Sequence, residues 1–417
     1  MNSSYAVFQI PDFRRYLAAG TLSAATSQMT STAAGWEIYE RTNQPWALGL
    51  LGFVVALPFI TLALPAGTLA DRKPRKTILI CARILGAFAL ILLALASYFA
   101  LPIWSFYALI GLLAMINAFA GPAGGAFVTN LVPHEQIAAA TKWTSLRWNI
   151  ASLVGPILAG LLIAYFARNF EVLAQSAAPI YALDAFAALL FALLISPVKP
   201  QQNTVPREEL NWSSVVAGWH FIKARPLVFG SISLDMVAVL FGGATALIPI
   251  YARDILMIGP EALGPLRAAP AAGAMLMSLV LAHIPPLKRA GKTLLWAVAG
   301  FGAATIVFGL SKNLWLSLGA LATLGACDQI SVYVRHTLLQ LVTPDAMRGR
   351  VGAVNSIFIS TSNEIGELES GLAAQVFGPV LAVAGGGAVT ILVVAFVAWK
   401  VPVIRRLRRL EDLKPQV

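Results

Sequence analysis

Charged residues are scarce in this chain. They make up 12% of its 417 residues, whereas hydrophobic residues make up 58%. A soluble globular protein carries about 25% charged residues, so this chain has too few of them to cover a surface in water. It contains instead a series of apolar runs, each long enough to cross a membrane, which takes about 20 helical residues. Short alternating segments, which would indicate a transmembrane β-barrel, are absent. We therefore predict an all-α membrane protein.

Cysteine and histidine are also rare. The two cysteines, Cys81 and Cys327, lie in separate apolar runs, and the four histidines are scattered along the chain. This pattern excludes a disulfide framework and offers no cluster with the spacing of a metal site. The sequence also lacks a glycine-rich phosphate-binding loop and a paired nucleophile and base. We therefore expect no metal, no cofactor and no enzymatic activity, and we do not expect an ATP-driven pump.

The apolar runs predict twelve transmembrane helices. The predicted spans are residues 16–40, 46–69, 77–100, 103–130, 136–167, 176–196, 227–252, 262–284, 293–311, 313–342, 347–377 and 379–400. Basic residues are abundant in the loops on the side that holds both termini and rare in the loops on the other side. Those on the other side are Arg41, Arg168, Arg253, Arg267 and Lys312. The positive-inside rule therefore places both termini in the cytoplasm. The net charge of +11 follows from this topology, so we expect no nucleic-acid partner.

The longest polar connection, from Ser196 to Ser214, holds three prolines and leaves six predicted spans on each side. The predicted domains are an N-terminal six-helix bundle (1–196), a cytoplasmic central loop (197–225), a C-terminal six-helix bundle (226–400) and a basic cytoplasmic tail (401–417). The tail sequence VIRRLRRLEDLK predicts a solvated end that faces lipid headgroups, with anchoring on anionic lipids as the alternative.

The two halves also repeat each other at a constant offset of 211 residues. The matched pairs are Pro133 and Pro344, Ser145 and Ser356, Gly155 and Gly366, Gly160 and Gly371, and Leu161 and Leu372. Five matches in register indicate duplicated halves, which are a transporter architecture.

The loop between spans two and three, GTLADRKPRK, places five charged residues in six positions. Its pattern is Gly, three residues, Asp-Arg, two residues and two bases. The fixed positions are Gly67, Asp71, Arg72, Arg75 and Lys76. This loop, the twelve spans and the long central connection resemble the major facilitator superfamily over nearly the whole chain. The resemblance implies a secondary transporter with two pseudo-symmetric six-helix halves.

The resemblance also implies a conformational latch in this loop. Asp71 would accept hydrogen bonds from the start of span eleven, near Ala346 to Arg348, where the helix dipole favours an anion. Such a contact is worth up to about 2 kcal/mol, which biases an equilibrium about thirtyfold. Gly67 would allow close helix approach, and Pro74 would stiffen the turn. The four bases have a simpler interpretation, which is that they only keep the loop in the cytoplasm.

A second motif lies in span five. The stretch ASLVGPILAG resembles the Gly-Pro motif of proton-coupled antiporters through Gly155, Pro156 and Gly160, although Ala151 and Ala159 replace two glycines of that motif. Further stretches, such as SNEIGELESG, resemble the subfamily that includes enterobactin exporters and drug-efflux permeases. The resemblance implies proton-driven export across the bacterial inner membrane.

The first half departs from this pattern in span four. Many proton-coupled members carry an arginine there, followed by glycine four residues later, whereas this chain has Asn117 and Gly121. A proton relay through that arginine is therefore not supported. Arg83, near the cytoplasmic end of span three, is predicted to snorkel or to form a structural pair. Arg147 and Asp184 receive no assignment from the sequence.

Ionisable residues inside predicted spans are candidates for proton coupling or for lining a substrate cavity, because such residues are costly in a membrane. They are Asp235 in span seven, Asp328 and Arg335 in span ten, and Glu364 and Glu367 in span eleven. The two glutamates are three residues apart and share a helix face, so together they could hold a proton and release it to the cytoplasm. The alternative is a structural hydrogen bond or salt bridge between helices. Asp328 and Arg335 could pair with each other or with other helices.

These observations favour a proton-coupled exporter of a bulky amphipathic small molecule, such as a siderophore or drug, that works by alternating access. Its partners would be the cargo, protons and the lipid bilayer, and we expect a monomer. The segment TSQMTST (26–32) is predicted to face the cavity, and Trp36 and Tyr39 are predicted to be interfacial anchors. One alternative is uptake or facilitated transport of a smaller metabolite, sugar or lipid. Another is a membrane sensor or assembly partner, which would have little reason to keep the loop motif and the membrane acids.

Overall fold

The computed structural model describes residues 3–169, 173–199, 212–285, 287–344, 347–410 and 413. Within these ranges the chain is almost entirely helical and holds no β-strand, as the apolar runs predict. The helices are α1 (Pro11–Thr42), α2 (Pro45–Arg72), α3 (Arg75–Tyr98), α4 (Ile103–Thr129), α5 (Ile137–Ala167), α6 (Ala178–Ile195), α7 (Trp212–Lys223), α8 (Pro226–Phe241), α9 (Pro260–His283), α10 (Ala290–Leu310), α11 (Leu314–Val342), α12 (Arg348–Phe377), α13 (Pro379–Lys400) and α14 (Pro402–Arg406).

Many of these helices are long and apolar enough to span a membrane. In the described part of the chain, nine helical segments are long and apolar enough to cross a membrane. The remaining three predicted spans coincide with α1, α11 and α12, which carry many of the polar and acidic side chains considered below. The all-α membrane fold predicted from the sequence is therefore confirmed.

Span seven differs from its prediction as one continuous helix over 227–252. Helix α8 ends at Phe241, directly before Gly242 and Gly243, and short helical turns follow over Ala244–Leu247 and Tyr251–Ile255. Two consecutive glycines weaken a helix because each loses much conformational freedom on becoming ordered. The apolar run continues through the break, so hydropathy alone did not reveal it.

Helix α7 is an addition, because it lies in a stretch predicted to be loop. Trp219 on α7 stacks on Phe358 of α12, with ring centroids 5.4 Å apart, and Ile222 is fully buried. These apolar side chains hold α7 against the neighbouring helices. The rest of the central connection, residues 200–211, lies outside the described residues.

Backbone contacts divide the chain into two units. Unit 1 comprises Met1–Asn43, Val54–Leu210 and Gly259–Gly264, and unit 2 comprises Gln44–Phe53, Asn211–Ile258 and Pro265–Val417. The beginning of α2 therefore groups with unit 2, and the beginning of α9 groups with unit 1. The domain limits predicted from the sequence stay a prediction.

The predicted internal repeat appears as equivalent packing inside each unit. In unit 1, a Cβ built on Gly155 of α5 would lie 2.8 Å from the carbonyl oxygen of Ala25 on α1. In unit 2, a Cβ built on the matched Gly366 of α12 would lie 3.0 Å from the carbonyl oxygen of Leu240 on α8. At both places only glycine lets the two helix backbones approach this closely.

The second pair of matched glycines behaves in the same way. A Cβ on Gly160 of α5 would lie 2.8 Å from the amide nitrogen of Gly264, in the first turns of α9. A Cβ on Gly371 of α12 would lie 2.6 Å from the amide nitrogen of Gly49, in the first turns of α2. Pro156 lies inside α5 between the two packing glycines of its motif and is buried. The Gly-Pro motif therefore serves helix packing in unit 1.

The C-terminal segment docks on unit 2. The backbone N–H groups of Ala290 and Gly291 donate hydrogen bonds to the carbonyl oxygens of Arg408 and Leu407, at 2.8 and 3.2 Å. These N–H groups begin α10 and have no partner within that helix. Ile404 is fully buried in the apolar core of unit 2. The segment over 402–410 is thus held in place, with exposed arginines around a buried apolar side.

The close contact at Gly155 yields a stability prediction. Gly155→Ala should lower the free energy of unfolding by about 1–3 kcal/mol, because the new methyl group would overpack α5 against the backbone of α1. Gly121→Ala in α4 is the matched control, since a Cβ there meets no described atom within 4 Å. Alanine is the better helix former by about 1 kcal/mol, so the control should be neutral or stabilising. Thermal unfolding of the detergent-purified variants measures the difference, and equal melting temperatures would contradict it.

Candidate functional site

A buried ion pair links α8 and α11 in unit 2. Arg335 Nη2 lies 2.7 Å from Asp235 Oδ1, and each side chain is only 8% exposed. Arg335 Nε also donates a hydrogen bond to Ser331 Oγ at 3.3 Å. Of the two pairings that the sequence left open, the structure thus gives Arg335 a partner on another helix. The guanidinium is fixed by a carboxylate and by its own helix.

Asp328 lies two turns before Arg335 on α11. It interacts electrostatically with Arg335, but it accepts no hydrogen bond from a described residue. Two carboxyls therefore share one guanidinium in this part of unit 2. One of these acids can be protonated without leaving a cation unmatched.

Asp328 lines two sizeable cavities. One has a volume of about 240 Å³ and is lined by Asp235, Arg335, His336 and Asn363 as well as by Asp328. The other, of about 300 Å³, is lined by Asp328, Asn363 and Glu367 together with apolar residues of α8, α9, α10 and α11. Pockets with an apolar wall and a few placed polar groups are typical of small-molecule sites.

Glu364 and Glu367 meet a single guanidinium in unit 2. Arg267 of α9 interacts electrostatically with both carboxyls. Glu367 also lies directly against the backbone of Gly52, where an added Cβ would be 2.8 Å from Glu367 Oε2. As predicted, the two glutamates share a helix face. Their basic partner was not predicted from the sequence, because Arg267 was counted among the loop bases. The position of Arg267 inside an apolar run was the signal that could have revealed it.

The buried charges of unit 2 are therefore unequal. Its helices bring four acids (Asp235, Asp328, Glu364 and Glu367) together with two bases, Arg267 and Arg335. Each base can neutralise one carboxylate, so up to two acids remain that can hold protons at low cost in a membrane interior. This arrangement can take up and release protons without unpairing a buried arginine.

Unit 1 holds a different polar cluster around Asp184 of α6. Thr26 Oγ1 donates to Asp184 Oδ1 at 2.6 Å, and Thr30 Oγ1 donates to Oδ2 at 2.8 Å. Arg83 of α3 interacts electrostatically with the same carboxyl, and its guanidinium lies 4.9 Å from the ring centroid of Phe191. The two roles predicted for Arg83, snorkelling and structural pairing, both stay predictions, because Arg83 interacts electrostatically with Asp184 without a direct ion pair among the described residues.

A polar network around Glu37 and Arg41 closes the far end of α1. The Tyr181 hydroxyl donates to Glu37 Oε2 at 2.9 Å, Arg41 forms an ion pair with the same carboxylate, and Arg41 Nη2 donates to the carbonyl oxygen of Ser97 at 3.0 Å. Trp36 is 1% exposed and Tyr39 is 5% exposed. The prediction that these two aromatic residues are interfacial anchors is wrong, because both side chains are buried inside the protein.

The bases of the loop motif have contacts inside unit 1. Arg75 Nη1 donates to the carbonyl oxygen of Ala126 at 3.2 Å and also to the Asn130 side chain, at the end of α4. Lys76 Nζ donates to the carbonyl oxygen of Ser196, at the end of α6. Basic groups stabilise helix C-termini by hydrogen bonding and by favourable interaction with the dipole. These two bases therefore do more than keep the loop on one side.

The predicted latch stays a prediction. The side chain of Asp71 and the residues 345–346 lie outside what the structure describes. Arg72 ends α2 and is exposed. A Cβ on Gly67 would meet no described atom within 4 Å, so the close helix approach predicted at this glycine is not found among the described residues.

The shared guanidinium of unit 2 yields an asymmetric prediction. Arg335→Gln should destabilise the protein by about 3–5 kcal/mol, because it leaves Asp235 buried without its basic partner. Asp235→Asn should cost less, because Asp328 remains beside Arg335. Thermal unfolding of the two variants and of the double variant provides the measurement. Equal losses, or a larger loss for Asp235→Asn, would contradict this account of the cluster.

Comparisons with known proteins agree with this architecture. The model of a family described as transmembrane secretion effector, within the major facilitator superfamily, matches residues 2–415. An enterobactin exporter, EntS, from Shigella boydii serotype 18 is 29% identical over 420 residues, which cover 98% of this chain and 95% of the relative. The corresponding exporter from Escherichia coli O1:K1 is 28% identical with the same coverage.

Solved structures show the same fold. A bacterial homologue of the human lysosomal transporter Spinster, in an inward-facing and occupied conformation, aligns with a TM-score of 0.74 at 15% identity, covering 97% of this chain and 98% of the other. The xylose transporter XylE from Escherichia coli, in an inward open conformation, aligns with a TM-score of 0.68 at 14% identity, covering 98% and 99%. The chain thus belongs to the transmembrane secretion effector family of the major facilitator superfamily, and it is a multi-pass membrane transporter.

Proposed function

We propose that this transporter is a proton-coupled exporter of a bulky amphipathic small molecule, such as a siderophore or drug, in the bacterial inner membrane. The observation that carries the proposal is the pair Glu364 and Glu367 with its single base, Arg267. The name of the relatives, enterobactin exporter, supports export of a siderophore-like cargo. The loop charges support an orientation with both termini in the cytoplasm.

The charge count of this trio suits a one-proton cycle. With both glutamates ionised the trio carries a net charge of −1, and with one proton bound it is neutral. A neutral trio is cheaper in a low-dielectric interior than a charged one, so proton binding and release can bias which conformation is populated. Alternating access then exposes the same pair first to the outside and next to the cytoplasm.

A solute can lie beside the coupling carboxyl of Glu367. This residue lines the cavity of about 300 Å³ with Asp328 and Asn363, so a solute in that cavity would lie beside the coupling carboxyl. Protonation of this carboxyl changes the charge that such a solute meets, so proton binding can change how tightly the solute is held. The cavity walls are otherwise largely apolar, which favours an amphipathic solute.

The proton site lies in unit 2 and not in α4. Helix α4 carries no charged residue, and Asn117 and Gly121 occupy the positions where an arginine motif would lie. The acids of α12 are therefore the better candidates for coupling. Uptake of a smaller solute has no observation of its own in its favour.

Neutralising the pair tests the proposal. Glu364→Gln and Glu367→Gln should each reduce proton-driven cargo uptake into inverted membrane vesicles to near background. The reason is that a side-chain amide cannot bind and release a proton near neutral pH. Glu369→Gln is the matched control on the same helix, since Glu369 hydrogen-bonds Ser370 and does not share Arg267. It should retain activity within about twofold, as expected for a change of less than about 0.5 kcal/mol.

The readout is pH-gradient-dependent transport of a fluorescent siderophore analogue or drug, with protein amounts matched by gel filtration of each variant. Full coupled transport by both single variants and by the double variant would show that the pair is not the coupling site. Loss of transport in the Glu369→Gln variant alone would indicate that the coupling residue is Glu369 and not the pair.

A further inference from the structure

Unit 1 contains two arginines whose charge is not matched by the residues around them. Arg83 of α3 lies close to both Asp184 of α6 and Arg147 of α5, as their electrostatic interactions show. The cluster therefore holds two guanidiniums and one carboxyl. Whether Asp184 is ionised or protonated, the cluster keeps a net positive charge of at least one.

The carboxyl does not hydrogen-bond either arginine. Its two oxygens accept hydrogen bonds from Thr26 and Thr30. The Nε atoms of Arg83 and Arg147 are buried and have no hydrogen-bond partner, and in the described part of the chain neither guanidinium donates a hydrogen bond. Leaving a buried Nε–H group without an acceptor is costly, because it loses its hydrogen bond to water.

Packing holds both guanidiniums in place. The Arg83 guanidinium lies 4.9 Å from the ring centroid of Phe191, and the Arg147 guanidinium lies 5.3 Å from that of Tyr16. Arg147 also lies against the backbone of Gly20 on α1, where a Cβ would come within 2.0 Å of Nη1. The absence of a side chain at this glycine thus makes room for the charge. Both arginines are partly accessible, so a solute can reach them.

The Glu37 and Arg41 pair in the same unit provides a contrast. There the guanidinium has a carboxylate partner and two backbone acceptors, and only its Nε is left without a partner among the described residues. Unit 1 is thus able to match the charge of a buried arginine with its own groups. At Arg83 and Arg147 it does not, because no described carboxylate pairs directly with either guanidinium.

We propose that Arg83 and Arg147 bind a carboxylate group of the transported molecule, so that the cargo is an amphipathic anion. Guanidinium groups match carboxylate geometry with paired hydrogen bonds, and a site of low polarity strengthens them. The inference rests on the proposed export function and specifies the cargo's chemical class. It assigns recognition of the cargo's carboxylate to unit 1, whereas the proton pair lies in unit 2.

Two dyes of related structure and opposite charge test the proposal. The probes are carboxyfluorescein, which is anionic, and rhodamine 6G, which is cationic; both are planar xanthene dyes. Binding to the purified full-length protein in a neutral detergent is followed by fluorescence anisotropy. The unmodified protein should bind carboxyfluorescein. Arg83→Gln and Arg147→Gln should each weaken this binding at least about tenfold, as expected for the loss of a charged hydrogen bond, and leave rhodamine 6G binding unchanged.

Arg14→Gln is the matched control, because it removes the same charge from an exposed position of α1. Gly20→Ala disturbs the same site without removing a charge, because its methyl group must displace the Arg147 guanidinium. It should also weaken carboxyfluorescein binding. Each variant must elute as a monodisperse peak in gel filtration. Arg83→Lys, which keeps the charge but loses the planar fork, replaces Arg83→Gln if that variant does not fold.

No binding of carboxyfluorescein by the unmodified protein would overturn the proposal, as would equal binding by the Arg83 and Arg147 variants or an equal loss in Arg14→Gln. The assay needs no proton gradient, so it is independent of coupling. Arginine-dependent binding without proton-driven transport would refute the export function and leave the anion site. Proton-driven transport that is unchanged in the Arg83 and Arg147 variants would refute the anion site and leave the export function.

Discussion

A charge inside a membrane protein has to be matched by an opposite charge, neutralised by a proton or satisfied by hydrogen bonds, because hydrocarbon offers it nothing. The arrangement of this transporter follows from that constraint. Glu37 with Arg41 and Asp235 with Arg335 are matched pairs, each joined directly at short distance. The remaining buried charges are unequal, with surplus acid in unit 2 and surplus base in unit 1. Matched pairs stabilise helix packing, and surplus charges are where ligands can act.

Surplus acid and surplus base have different chemical consequences. A surplus carboxyl can be neutralised by a proton, so the acids Glu364 and Glu367 suit a coupling site. A surplus guanidinium keeps its charge at every physiological pH, so Arg83 and Arg147 can be matched only by an anion. In the functions proposed above, unit 2 binds the exchangeable proton and unit 1 binds the charged group of the cargo.

Much of the fold could be predicted from the sequence, because hydropathy and helix length depend on local residues. The glycine pairs at the constant offset were also informative: Gly155 with Gly366, and Gly160 with Gly371, make equivalent helix contacts in the two units. The partner of Arg335 could not be predicted, because Asp235 is on another helix and its distance along the chain carries no pairing signal. The contacts of Arg75 and Lys76 with helix ends could not be predicted either, because their acceptors lie on other helices. The break after Phe241 could not be predicted because the apolar run continues through it.

The docked C-terminal segment affects how the protein can be shortened or fused to other proteins. Its carbonyl groups occupy the first N–H groups of α10, and Ile404 fills part of the core of unit 2. Removing everything after Lys400 would open that core to water and leave a helix start unsatisfied. Affinity tags and reporter domains are therefore better placed at the N-terminus, or after the last residue behind a flexible spacer. What looks like a dispensable basic end is part of the folded structure.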